Sequence, residues 1–131
     1  MPMDERGFLY VVPTDKAFHD AAVAVLAAIE RRGWSVFGTY DVHERLAAKG
    51  FKQAPIKIIE FCNAKHANEL LSQNRLVSAC MPCRINVLQE SDGVRLVAMR
   101  PNVMGQFFQN LDAKTADAVE QDIRQIVDDA K

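Results

Sequence analysis

Residues 84–99 read RINVLQESDGVRLVAM, and this stretch decides the fold class. Arg84 to Glu90 alternates as a strand, and Val94 to Met99 forms a second one. They are joined through Glu90-Ser91-Asp92-Gly93, and Asp-Gly between two such runs is a strong hairpin signal. Strands joined by a hairpin are antiparallel. With helices elsewhere in the chain, that places the protein in the α+β class. Pro101 ends the second strand.

Outward from the hairpin, the same reading extends to both termini. Phe8 to Val12 is a short apolar strand ended by Pro13, and Thr14 stands as the N-cap of the following helix. Phe18, Ala22, Val25 and Ile29 recur at helical spacing, and Gly33 stops the helix. Trp34 to Val42 alternates in period two, which predicts a strand with Trp34, Val36, Gly38, Tyr40 and Val42 on one face. HERLAAKGF, residues 43–51, gives one or two helical turns closed by Gly50. IKIIEFC, residues 56–62, is apolar on both faces and so suits a central strand. A short helix follows at AKHANELLSQ, residues 64–73. Ala113 to Ala130 is the last helix, capped by Asp112, with Ala116, Val119, Ile123, Ile126 and Val127 on its inner stripe. The expected architecture is one antiparallel sheet of about five strands in β-α-β(4)-α order. Two long helices pack on one face, and short helical inserts flank the third strand.

The chain's 131 residues suit a single domain spanning 1–131. A net charge of −1 gives no basic excess for nucleic acid, and no segment is apolar and long enough for a membrane span. Three cysteines, Cys62, Cys80 and Cys83, fit a reducing, cytoplasmic setting. No phosphate loop, nucleophile elbow, HExxH or paired-carboxylate signature appears.

IKIIEFCNAKHANELL followed by MPCRINVLQESDGVRLVAM resembles the domain-of-unknown-function family 302. That family shows a strand ending in Cys-Asn-Pro, a short helix, a Leu-Pro-Cys-Arg-like strand opening and an acidic-Gly hairpin. LYVVPTDKAFHDAAVAVLAAIERRGWSV is similar to its first strand and helix. The resemblance implies a TATA-binding-protein-like fold and no particular activity. It matches this chain at Cys62, Asn63, Pro82, Cys83 and Arg84, with Ala64 in place of proline, Met81 in place of leucine, and Cys80 outside the pattern.

Three readings of Cys80-Met81-Pro82-Cys83 stay open. As a redox pair it lacks the helix N-terminus that lowers a thiol pKa. As a metal knuckle it joins Cys62 and His66, so that Cys62, His66, Cys80 and Cys83 are the candidate ligands for zinc or copper(I). As plain core, the cysteines are small buried hydrophobes. Cys83 beside Arg84 adds a thiol next to a cation; if Cys83 is partly exposed, that cation favours the thiolate and makes Cys83 a catalytic candidate. Asn63 is either a ligand contact or the cap of the following helix. Glu60, on an apolar strand, needs a partner such as Lys57 or Arg84. Met104, Phe107 and Phe108 read as a core plug, a dimer contact or an apolar lid. His19 is expected to be exposed. The first functional expectation is a small cytoplasmic protein, a homodimer through its open sheet face, that binds a small molecule or soft metal ion at Cys62, Asn63, Cys83 and Arg84. The alternatives are a thiol enzyme or sulfur carrier using Cys83, and an interaction domain without a site.

Overall fold

The computed structural model describes residues 3, 4 and 7–131. Its strands and helices follow in the order β1 (Met3–Asp4), β2 (Leu9–Thr14), α1 (Phe18–Arg31), β3 (Ser35–Asp41), α2 (Val42–Ala47), β4 (Ile56–Cys62), α3 (Ala64–Gln73), β5 (Cys83–Glu90), β6 (Gly93–Met99) and α4 (Ala113–Ala130). Single 3-10 segments lie at Arg75–Cys80 and Pro101–Gln106. All strands join one antiparallel sheet in the order β1-β2-β6-β5-β4-β3. The expected α+β architecture therefore holds, with a two-residue strand added at the β2 edge. Among the described residues, no helix is long and apolar enough to cross a membrane.

The β5–β6 hairpin turns through Ser91 and Asp92, with Glu90 paired to Gly93. Gly93 sits at φ 143°, a conformation that side chains rarely adopt. β5 and β6 form the middle of the sheet. β4 is internal too, but second from the edge, with β3 outside it. Ile59, Phe61, Ile85, Val87, Leu96 and Ala98 are buried under the helices. α1 contributes Ala21, Ala22, Val25, Ala28 and Ile29, and α4 contributes the whole expected stripe plus Ala130. The alanines of α1 let the helix approach closely, while the branched residues of α4 fill the space between. Asp112 caps α4 by accepting from Lys114 N at 3.0 Å.

Two local expectations are corrected. Pro13 and Thr14 continue β2 instead of ending it, and pair with Arg95 and Val94. Proline is tolerated there because β1 pairs only with Leu9 and Tyr10, so the Pro13 end of β2 is an edge. Helix α1 then starts at Phe18 with Ala17 as N-cap, and Thr14 Oγ1 instead accepts from Lys16 N at 3.2 Å. The second correction is in β3. A bulge between Val36 and Gly38 shifts the register, so Val36 pairs with Phe61 while Gly38 and Tyr40 pair with Glu60 and Ile58. The alternating face therefore splits: Val36 packs against the core, and Tyr40 lies with Glu60 on the other side.

Phe61 is fully buried and its ring lies 5.3 Å from that of Trp34. Phe61→Ala is expected to lower unfolding free energy by about 3–5 kcal/mol in urea denaturation, because a large cavity opens beneath two helices.

Candidate functional site

β4 and β5 run antiparallel, so the exit of one lies beside the entrance of the other. Phe61 is opposite Cys83, and Glu60 is opposite Arg84. One rim of the sheet therefore gathers Cys62, Asn63, Cys83 and Arg84. Asn63 caps α3 by accepting from His66 N at 3.1 Å, which fixes the turn that takes the chain off the sheet. Asn74 does the same for the Arg75–Cys80 segment, accepting from Leu76 N at 3.0 Å. That segment returns the chain to β5 through Met81 and Pro82.

Two concavities meet at this rim. The larger is a cavity of about 330 Å³. Its walls come from the Ala79–Arg84 stretch, Asn86 of β5, Val97 and Met99 of β6, Phe8 and Leu9 beside β2, Leu70 of α3, Pro101 and Met104, and Val119 and Ile123 of α4. Most of these side chains are apolar, and Arg84 and Asn86 supply the strongly polar groups. The smaller is a recess of about 20 Å³, lined by Trp34, Cys62, Asn63, His66 and Cys83 among others. The two share Leu70, Met81, Cys83 and Val119 as a common wall. Of the expected ligand residues, Cys83 and Arg84 line the larger cavity, while Cys62 and Asn63 line the recess beside it.

Arg84 is about half exposed, and its Nε lies 3.4 Å from Glu60. Glu60 also accepts from the Tyr40 hydroxyl at 2.8 Å. Lys57 turns away to Asp41, at 3.5 Å. The expected partner of Glu60 is thus Arg84, with Tyr40 as a further donor that the sequence did not point to.

Burial dominates the thiol at position 83. Burial pushes Cys83 up to about 12, the neighbouring Cys62 and Cys80 add to the rise, and Arg84 offsets only part of it. Burial also raises Cys62, whose thiol makes a long 3.9 Å contact to the carbonyl of Asn63. A half-exposed guanidinium is screened by water, whereas loss of solvation acts on the whole thiolate, so desolvation wins. Arg84 acts on the Cys83 thiol in the expected direction, and burial outweighs it.

The expected metal set is Cys62, His66, Cys80 and Cys83. Among the described residues, no group of three or more His, Cys, Asp or Glu side chains is placed to hold a metal ion. The ring of His66 is directed elsewhere: its Nε2 lies 3.4 Å from Asp122 Oδ2, and it packs 5.7 Å from Trp34. Asp122 is the residue that sequence reading missed. From α4 it also accepts from Arg32 at 3.0 Å and from the Trp34 indole at 3.2 Å, tying α1, α3 and α4 to one carboxylate. Its place on the helix gave no signal, since its partners lie far away in sequence.

The 3-10 segment Pro101–Gln106 divides the expected apolar plug. Met104 is buried and lines the cavity, Phe108 packs against the core, and Phe107 projects into solvent. His19 is exposed as expected.

Comparison with known proteins supplies a family and a fold. The family model described as Domain of unknown function DUF302 matches residues 10–130. No curated protein matches the chain. A solved structure, an uncharacterized conserved DUF302 protein from Bacillus stearothermophilus, superposes with a TM-score of 0.87. It is 23% identical, over 95% of this chain and 98% of that one.

Two outcomes follow from the site. Iodoacetamide at pH 8 is expected to alkylate Cys83 at least roughly a hundredfold more slowly than free cysteine, as peptide mapping over time will measure. Asp122→Ala is expected to cost roughly 2 kcal/mol or more in chemical denaturation, because it strips a partner from the Trp34 indole and the His66 ring together.

Proposed function

The chain belongs to the DUF302 family, and from that premise we propose that it is a small-molecule binding protein whose ligand occupies the cavity at the Cys83–Arg84 rim. The observation that carries this reading is the cavity itself. Its volume of about 330 Å³ lies within the range of small-molecule sites. Its lining has the composition of such sites, an apolar body with a few polar groups at one end. Arg84 and Asn86 are neighbours on the outer face of β5 while Leu70, Val119 and Ile123 belong to the helix side, so the cavity passes the rim of the sheet with its polar end outside and its apolar end under α3 and α4.

Burial of the cysteines supports binding over thiol chemistry. Burial pushes the Cys83 thiol up to about 12, which favours a neutral lining group at neutral pH. The absence of a converging donor set among the described residues favours an organic ligand over a metal ion.

The test is isothermal titration calorimetry with three ten-carbon alcohols: 2-naphthol, decahydro-2-naphthol and 1-decanol. At least one is expected to bind with a submillimolar Kd and a negative heat-capacity change, the mark of apolar burial. Ile123→Trp and Val97→Trp fill the cavity from opposite walls. Either variant that keeps a cooperative thermal transition is expected to lose that binding. Unchanged affinity in a folded, filled variant, or no binding of any of the three alcohols, overturns the proposal.

A further inference from the structure

We infer that the ligand of the rim cavity is a planar aromatic molecule bearing a hydrogen-bond donor, in chemical class a phenol, with its ring among sulfur side chains and its hydroxyl at Asn86. This rests on the binding reading above and adds the class of molecule. The first observation is the sulfur content of the walls. Cys80, Met81, Cys83, Met99 and Met104 all line the cavity, five of the eight sulfur-bearing residues of the chain. They arrive from three separate segments: the approach to β5, the end of β6, and the Pro101–Gln106 turn. A chain drawing only on aliphatic packing has no reason to concentrate its sulfur at one place.

Thioether and thiol sulfur is polarizable and makes favourable contacts at the edges of aromatic rings, which a saturated ring of the same size does not reproduce. Methionine is also unbranched, with three rotatable bonds, so Met81, Met99 and Met104 can close on a flat guest from several sides. One aromatic side chain, Phe8, stands in the lining, partly exposed at 44%. The guest, not the wall, is then the source of the ring.

The second observation is independent. Asn86 is among the residues lining the cavity, and its Oδ1 is buried without a hydrogen-bond partner among the described residues. A buried amide oxygen left unpaired is unfavourable, and a donor on the ligand removes that penalty. The terminal torsion of asparagine is soft, so the amide turns toward the cavity at small cost. Arg84 at the same end is a donor only, and it lies against Glu60 at 3.4 Å. With that carboxylate beside the cation, the polar end carries no net charge that calls for an anionic ligand. A neutral hydroxyl answers Asn86 without displacing Glu60.

The experiment compares 2-naphthol, decahydro-2-naphthol, 2-methylnaphthalene and 2-naphthoate by calorimetry. The protein, Asn86→Leu, and the double variant Met99→Leu with Met104→Leu are each titrated. 2-Naphthol is expected to bind at least about tenfold more tightly than the saturated alcohol or the methyl analogue. Asn86→Leu is expected to erase the advantage over 2-methylnaphthalene and keep that over decahydro-2-naphthol. The double methionine variant is expected to do the reverse. Equal binding of the saturated and aromatic alcohols overturns the aromatic class while leaving the binding protein in place. Tighter binding of 2-naphthoate than of 2-naphthol overturns the donor assignment in the same way. No binding of any probe removes both this inference and the reading on which it rests.

Discussion

The pairing register of β4 with β5 governs everything at the rim. With Phe61 opposite Cys83, both side chains fall on the helix-covered face. With Glu60 opposite Arg84, the ion pair falls on the other. Side chains alternate with period two, so a slip of one residue would carry the whole set across the sheet. Cys83 would then face outward, and Arg84 would be driven under α4 without a carboxylate. The register is held from both ends. The Ser91-Asp92 turn sets β5 against β6, and burial of Ile59 against Ile85 sets it against β4.

That placement decides the chemistry of the thiols. A cation beside a cysteine and a loss of water around it act in opposite directions, and sequence adjacency reveals only the first. Arg84 follows Cys83 in the chain, but in a strand consecutive residues point to opposite faces. The guanidinium therefore goes toward solvent and Glu60 while the sulfur goes toward Leu70 and Val119. The same alternation that makes a strand legible separates the two groups whose adjacency suggested activation.

What the sequence disclosed, and what it withheld, divides along the range of the interaction. The hairpin, both long helices and the Asn63 and Asp112 caps depend on neighbours within a few positions, and each was readable from composition and spacing. The β3 bulge was not, because Gly38 looks like any small residue in an alternating run and the shift exists only relative to β4. Asp122 was not, because it sits on α4 like any solvated acid. Its bonds to Arg32, Trp34 and His66 require three helices already packed. The rim residues were legible as a group through the family resemblance at Cys62, Asn63, Cys83 and Arg84, whereas their adjacency exists only through the pairing of β4 with β5. The cavity beside them was not, because its walls come from seven segments and no local pattern records a space between them.

The position of that cavity has a structural cause. Regular packing of α1 and α4 on the sheet consumes the alternating face of β2, β4, β5 and β6 up to Cys83, where the inner row ends. Beyond that point the chain supplies 3-10 segments, Arg75–Cys80 and Pro101–Gln106, in place of long helices. Short segments of that kind present few side chains inward, and here those include methionines and cysteines instead of the larger branched or aromatic residues that would close the gap. Phe107 could have contributed a ring to this region, yet it points into solvent at 74% exposure. Around Ile59, Phe61 and Ile126, by contrast, the core is fully buried. Packing is dense on one side of Cys83 and open on the other, within one sheet, because the inward side chains beyond it come from 3-10 segments instead of long helices.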